Sequence, residues 1–299
     1  MSNLTETLKS NLNNPVSSTE FDLHAALDEV LGGAGLRASD SGGKITFYGK
    51  DPIIPSPLRF GTMSAVSLAA KAVAAAAIWK FRSGEGQDIH VDVRKALRRF
   101  APFFERKWEK VNGHPASFAS DPENPFFIHA MEEDTVPWNK TRDGRWIMPV
   151  CVFPRLRARA TTLLRCDDSF NAVQNACLQW RADELEKAGA EAGLPISMLR
   201  TTEEFMKEIQ YTEVLSKEPL FKVEKIAESD PVPFKSGGKT PLDGVRALGM
   251  GHVIAGSGIG RDLALFGADV LNIWQPLDWE LEIFYWTTHV GMRSSILSV

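Results

Sequence analysis

Cysteine is scarce in this chain: Cys151, Cys166 and Cys177 are the only three in 299 residues. Their odd number and wide spacing give neither a disulfide framework nor a metal knuckle, so reduced, buried thiols in a cytoplasmic protein are expected. No His/Cys/Asp grouping has ligand spacing, and no metal is expected. A nucleophile elbow is also missing. Positive charge is not in excess: 34 Lys and Arg stand against 38 Asp and Glu, a net charge of −4, which argues against a nucleic-acid partner. The cluster Arg155, Arg157, Arg159 opens a predicted helix and reads as its solvated face. Long apolar runs are lacking too. The longest, Ala65 to Trp79, is interrupted by Lys71 and reads as a packed helix short of a membrane span. The opening MSNLTETLKSNLNN has no apolar signal core, so no membrane partner is expected. What remains is ordinary globular composition, 43% hydrophobic and 24% charged, in a length that allows two domains.

The most informative stretch runs from Pro241 to Pro276. Gly244-Val245-Arg246-Ala247-Leu248 predicts a strand, and Ile254 to Gly260 a glycine turn. Arg261 to Phe266 has helical spacing, Gly267-Ala268-Asp269 stops it, and Val270 to Ile273 predicts a second buried strand. A βαβ opening of this kind points backbone N–H groups at a helix start, where a phosphate is stabilised. Gly256, Gly258 and Gly260 stand near the spacing of a dinucleotide turn. The acid expected about 20 residues beyond that turn is missing from Asn272 to Gln275, and the next is Asp278. A short-chain NAD(P) oxidoreductase also needs a Tyr-x-x-x-Lys pair. The three tyrosines, Tyr48, Tyr211 and Tyr285, are followed at the fourth position by Pro52, Leu215 and His289.

Upstream, Ser17 to Glu20 reads as the cap of an amphipathic helix ending at Gly32-Gly33. Lys44 to Tyr48 predicts a strand, and Met63 to Phe81 a helix whose alanines suit close packing. Asp88 to Val93 alternates as a strand, and 94–111 reads as helix. Residues 112–142 read as surface-wrapping loop, followed by a hairpin strand at Asp143–Val150. Helices are expected at 154–165, 168–180 and 182–192, then a strand at Leu194–Arg200. Thr201 with Glu204 makes a capping box for a further helix. Leu220 to Ile226 predicts one more strand, and Ser229 to Thr240, broken by Pro231, Pro233 and Gly237-Gly238, reads as a linker.

Three of these pieces carry a resemblance. They are Pro-Leu-Asp-Gly-Val-Arg-Ala-Leu with His-Val-Ile-Ala-Gly, then Leu-Ala-Leu-Phe-Gly-Ala-Asp-Val-Leu-Asn-Ile, and the Ala-rich helix followed by Ser-Gly-Glu-Gly-Gln and Val-Asp-Val. They resemble family III CoA-transferases (CaiB/BaiF type), a group that includes formyl-CoA and carnitine CoA-transferases and α-methylacyl-CoA racemases. Here the segment that opens the family's chain comes last, so the resemblance implies a permuted or shortened chain. It implies an α/β fold, a Rossmann-like CoA-binding layer with a smaller α+β domain. The corresponding divisions are 17–142 (core helix and strand), 143–228 (small substrate-type domain), 229–240 (linker) and 241–299 (βαβ opening). It further implies coenzyme A as acyl-CoA substrate, carboxylic acids as the other small molecules, and a homodimer or partner chain.

By the same resemblance, His252, Val253, Ala255 and Gly256 form the nucleotide loop, and Gln275 follows the second strand where further nucleotide contacts come. Trp274 stands where the family tends to carry an acid. The family uses an aspartate just before the Ala-rich helix, as acyl-accepting nucleophile in the transferases and as an acid/base in the racemases. Gly61 or Thr62 occupies that place here, and the nearest upstream acid is Asp51, so the catalytic residue is left open. Thr62 as nucleophile competes with Thr62 as a helix cap. His90 reads as a strand-surface or core residue, and His129, after Phe126-Phe127-Ile128, as packing. Two readings follow: an enzyme that transfers CoA between carboxylic acids or epimerises an acyl-CoA, and a non-catalytic CoA-binding or assembly subunit.

Overall fold

The computed structural model describes residues 5–6, 9, 21–54, 58–98, 110–111, 113–115, 138–220, 222–234, 236–275 and 282–297. In chain order the elements are α1 (Leu23–Gly33), β1 (Gly42–Tyr48), α2 (Phe60–Ser83), β2 (Gln87–Asp92), α3 (Val93–Leu97), β3 (Lys110–Val111) and β4 (His114–Pro115). There follow β5 (Asn139–Lys140), β6 (Trp146–Pro149), α4 (Pro154–Leu164), α5 (Phe170–Cys177), α6 (Ala182–Glu191), β7 (Ile196–Met198) and α7 (Thr202–Phe205). The last are β8 (Arg246–Gly249), α8 (Ala255–Leu265), β9 (Asp269–Trp274), α9 (Glu282–Thr288) and β10 (Arg293–Ile296). The chain divides into two compact units. One comprises Met1–Ala116, Phe205–Pro276 and Ile283–Val299, and the other Ser117–Glu204 and Leu277–Glu282.

In the first unit, α1 is capped by Asp22, whose Oδ1 accepts from the N–H groups of His24 (2.9 Å) and Ala25 (3.1 Å). The cap expected at Ser17 to Glu20 lies outside the described residues. Leu27 and Leu31, one turn apart, are buried against Val66, Ala69, Val73 and Ala76 of α2. Buried positions 65, 69, 73 and 76 recur at the helical period, and their small side chains let backbones pack closely. At 24 residues, with an 18-residue window of mean hydropathy 1.5, α2 is long and apolar enough by length and composition to cross a bilayer, longer than the run read from sequence. Here one stripe of it packs against α1 and β2. Gly84, at φ 80, ends it in the left-handed conformation, its N–H bonded to Lys80 O. β1 and β2 pair in parallel, with Ile45 opposite Ile89 and Phe47 opposite Val91.

Of the helix expected over 94–111, the described part is α3, ending at Leu97, and residues 99–109 lie outside the described residues. Lys110–Val111 instead pairs antiparallel with His114–Pro115. Between them stands Asn112-Gly113, a strong two-residue hairpin signal, with Gly113 at φ 82. The strand expected at Leu220–Ile226 is also absent among the described residues. Positions 222–226 are exposed and join no ladder, because strand propensity without a partner edge leaves the backbone to water.

The last third of the unit forms a three-stranded parallel sheet, order β10-β9-β8, with α8 between β8 and β9 and α9 between β9 and β10 in the chain. A strap precedes it. Arg82 Nη1 donates to Pro241 O (3.1 Å) and Asp243 O (2.9 Å), its guanidinium lies 4.6 Å from the Phe234 ring centre, and Leu242 N–H donates to Phe266 O (2.8 Å). Lys71 Nζ reaches Asp262 Oδ1 at 2.8 Å, linking α2 with α8.

The second unit sets the antiparallel sheet β5-β6-β7 beside α4, α5 and α6. Ile147, Val173, Leu185 and Ile196 form its core together with Cys151 and Cys177. The capping box is present: Thr201 N–H donates to Glu204 Oε2 (2.9 Å) and Glu204 N–H to Thr201 Oγ1 (3.2 Å). Glu186 accepts from Arg200 and from Met198 N–H (2.9 Å), and the Arg200 hydrogen bond holds its carboxyl below the usual range. All three cysteines are free thiols. Burial pushes Cys151 up to about 11 and Cys177 up to about 12, so neither supplies thiolate at neutral pH. Brief alkylation at pH 8, read by mass spectrometry, should therefore modify half-buried Cys166 first. Cys151 and Cys177 should react more than roughly a hundredfold more slowly until the chain is unfolded. Labelling of Cys177 as fast as Cys166 would refute this packing.

Candidate functional site

β8 and β9 run parallel in register, with Gly249 opposite Asn272, so their C-terminal ends share one sheet edge. That edge is where ligands sit on open parallel sheets. The chain leaves β8 at Gly249, passes through Met250 to Ile254 and enters α8 at Ala255. The glycine turn expected at Ile254–Gly260 is thus displaced. Gly256, Gly258 and Gly260 lie inside the helix, and the turn is made by residues 250–254.

Bare backbone shapes this loop. A Cβ on Gly256 would stand 2.7 Å from Gly251 Cα, and one on Gly251 would stand 2.6 Å from Gly256 Cα. A side chain on either would drive the loop off the helix. Gly249 is restricted similarly, since a Cβ there would lie 2.5 Å from Asn272 Oδ1. Asn272 is 1% exposed and donates from Nδ2 to Gly251 O at 3.2 Å, and its buried Oδ1 has no partner among the described residues. Gly258, by contrast, has open space around it.

Val253 sits at φ 64, a left-handed conformation that a β-branched residue adopts only under constraint. Its carbonyl is bracketed by two hydroxyls, Ser257 Oγ at 3.0 Å and Thr288 Oγ1 at 3.1 Å, themselves 2.9 Å apart. Ser257 and Thr288 are buried. This network fixes the peptide immediately before the helix. The α8 start at Ile254 has no side-chain cap hydrogen bond and no acid in its first turn, leaving the positive end of the helix dipole without side-chain compensation.

Of the residues expected to hold a nucleotide, His252 and Val253 are in this loop, and Ala255 and Gly256 are the first two residues of α8. Gln275 directly follows β9 at the same sheet edge and is exposed. Trp274 forms an aromatic group with His289, ring centres 4.6 Å apart, and Tyr285, 5.8 Å apart. Sequence reasoning passed over Ser257, Thr288 and Asn272, whose roles depend on contacts made across the fold.

It also left open what stands before the Ala-rich helix. The α2 start at Arg59 has no side-chain cap of its own. Asp51 supplies one from eleven residues upstream, its Oδ2 accepting Thr62 N–H at 2.7 Å. A Cβ on Gly61 would stand 2.8 Å from Asp51 Oδ1, so the carboxylate lies directly against positions 61 and 62. Thr62 is capped by Asp51 and is not itself the capping residue.

In class, this is a mixed α/β protein with a glycine-shaped loop between a parallel strand and a helix start. No family model matches the chain. It is similar to an acyl-CoA transferase from Gibberella moniliformis, 29% identical over 111 residues. That match takes in 36% of this chain and 19% of the relative, so it spans about a fifth of that protein's length. The CoA-transferase resemblance read from the sequence is thus met in a curated relative of that name. Among solved structures, a point mutant of Rv3272 from Mycobacterium tuberculosis is similar at TM-score 0.40 and 19% identity, covering 62% of this chain and 49% of that one. A CAIB/BAIF family protein from Brucella suis is similar at TM-score 0.35 and 16% identity, with 59% and 50% covered. The chain therefore spans about half the length of these structures, at scores too low to establish a common overall arrangement.

Proposed function

We propose that this chain handles acyl-CoA thioesters, with the loop 250–254 and the start of α8 holding the phosphate-bearing part of coenzyme A in a Rossmann-like layer. The observation that carries the reading is the uncapped helix start behind the Gly251–Gly256 contact, at the C-terminal edge of a parallel sheet. The likeness to an acyl-CoA transferase selects CoA from among phosphate-bearing ligands. Backbone N–H groups at Ala255 and Gly256 would face the anion, and the hydroxyls of Ser257 and Thr288 keep the preceding peptide in place. Gln275 lies at the same edge as a further polar contact.

For the chemistry we propose Asp51. A carboxylate oxygen adds to the thioester carbonyl, the C–S bond breaks and CoA leaves as thiolate, giving an acyl anhydride. The thiolate then attacks the aspartyl carbonyl and frees the original carboxylate, leaving an aspartyl-CoA thioester ready for the acceptor acid. Asp51 lies against the start of α2, its Oδ2 taking Thr62 N–H, and a carboxylate nucleophile needs no separate base. The placement of Asp51 favours transfer, and the lack of an acid at 61 or 62 is what favours the second reading, a non-catalytic CoA-binding subunit. Cytoplasmic location and a homodimer or partner chain belong to the same proposal.

Calorimetric titration with free CoA, with NAD in parallel, tests the binding half. Saturable binding of CoA and none of NAD is expected. A folded chain that binds neither would sink the acyl-CoA reading.

A further inference from the structure

A cavity of about 570 Å³ lies in the first unit toward the far end of α8 from the glycine loop. Eleven residues, about 16 Å of helix, separate Ala255 from Phe266 on its lining. That volume falls in the range of small-molecule sites, roughly 300–1,000 Å³. Its apolar wall has a definite cause. Ala72, Ala75, Ala76 and Trp79 share one face of α2 by their spacing, and three methyl-sized side chains in succession leave a trough. Trp79 and Phe266 contribute aromatic surface.

The remaining walls are held in place. The strap carrying Lys239, Thr240 and Pro241 is bound at Pro241 by Arg82 and, through Leu242, to Phe266 O. On the β2 side, Asp88 is fixed by accepting Lys44 N–H at 2.7 Å. Glu85 and Lys239 make no side-chain ion pair or hydrogen bond among the described residues. With Glu85 and Asp88 against Lys239, the lining carries one more carboxylate than ammonium. An electron-rich indole face beside carboxylates attracts organic cations.

We propose that this cavity binds a small organic cation with an apolar body, of the arylalkylamine class. The ring lies on the alanine face with Trp79 and Phe266, and the ammonium is taken by Glu85 and Asp88. The site does not depend on the acyl-CoA reading, since it shares no residue with the loop at 250–256.

Calorimetry on the full chain with three probes of like shape and different charge tests it: 2-phenylethylamine, 2-phenylethanol and 3-phenylpropionate. The amine should saturate at least about tenfold more tightly than the alcohol, and the acid should bind most weakly. Glu85→Gln should lower amine affinity by about tenfold and leave the alcohol unchanged. Ala75→Leu fills the trough and should abolish binding of all three with an unaltered circular dichroism spectrum and unaltered CoA binding. The proposal fails if the folded chain binds no amine, if the acid binds as tightly as the amine, or if neither substitution changes amine affinity.

Discussion

Asp51→Asn should leave the fold nearly untouched and reduce CoA transfer by roughly a thousandfold or more. The two effects separate because the residue has two tasks. As a helix-start acceptor, the amide oxygen of asparagine still takes Thr62 N–H, so only the charge–dipole contribution is lost, about 0.3–1 kcal/mol. As a nucleophile, the amide cannot form an anhydride at all. Asp51→Ala should behave differently, losing about 1 kcal/mol of stability with the cap as well as the activity. The measurements are transfer of CoA from an acyl-CoA to a free carboxylate, followed by chromatography, and thermal melts of the same samples. Wild-type rates in Asp51→Asn would reduce Asp51 to a capping residue. A parent chain that binds CoA and transfers nothing would establish the non-catalytic reading instead.

Gly256→Ala and Gly258→Ala, two residues apart in one helix, should move stability in opposite directions. At Gly256 the added methyl meets Gly251 Cα at 2.7 Å. Backbone cannot rotate away as a side chain would, so the loop must lift. A loss of about 1–3 kcal/mol is expected, together with more than about tenfold in CoA affinity, because the displaced peptide is the one that fixes the helix start. At Gly258 nothing lies within 4 Å of the new methyl. There the substitution removes only the entropic penalty of glycine in a helix and should stabilise by about 0.5–1 kcal/mol. Chemical denaturation of both variants, with CoA titration, reads the contrast. Equal destabilisation would mean that the Gly251–Gly256 contact does not form in solution.

These two glycines also explain where the sequence was readable. Strong periodicity was: α2, β2 and the three helices of the second unit follow from apolar spacing, and the Thr201–Glu204 box follows from a four-residue signal. The glycine segment was not. A missing Cβ serves a turn and a close helix contact equally well. Gly256 is needed against Gly251, and Gly260 against Met292 Sδ, 2.4 Å from where its Cβ would be, so glycines that read as a turn belong to a helix. The helix expected over 94–111 fails at its end, where Lys110–Val111 pairs with His114–Pro115 across the Asn112-Gly113 hairpin signal. His252, Val253, Ala255 and Gly256 do fall together at the loop and start of α8, but Asp51 was noted only as the nearest acid. Ten residues of Pro-rich segment separate it from Thr62, and no spacing rule brings a carboxylate back across such a gap.

The first unit is drawn from three separated stretches of chain, with residues 117–204 belonging to the other unit. Closing a loop of roughly ninety residues before the parallel layers can meet places its contacts at high sequence separation, the regime of slow folding. The second unit is nearly continuous, and its longest strand pairing, Ile147 with Met198, closes within residues 117–204. During synthesis it can organise while α1, β1, α2 and β2 still await the chain from Phe205 onward. Until that chain arrives, the alanine face of α2 is without its strap, which makes this interval the time when the protein is most exposed to association with other chains.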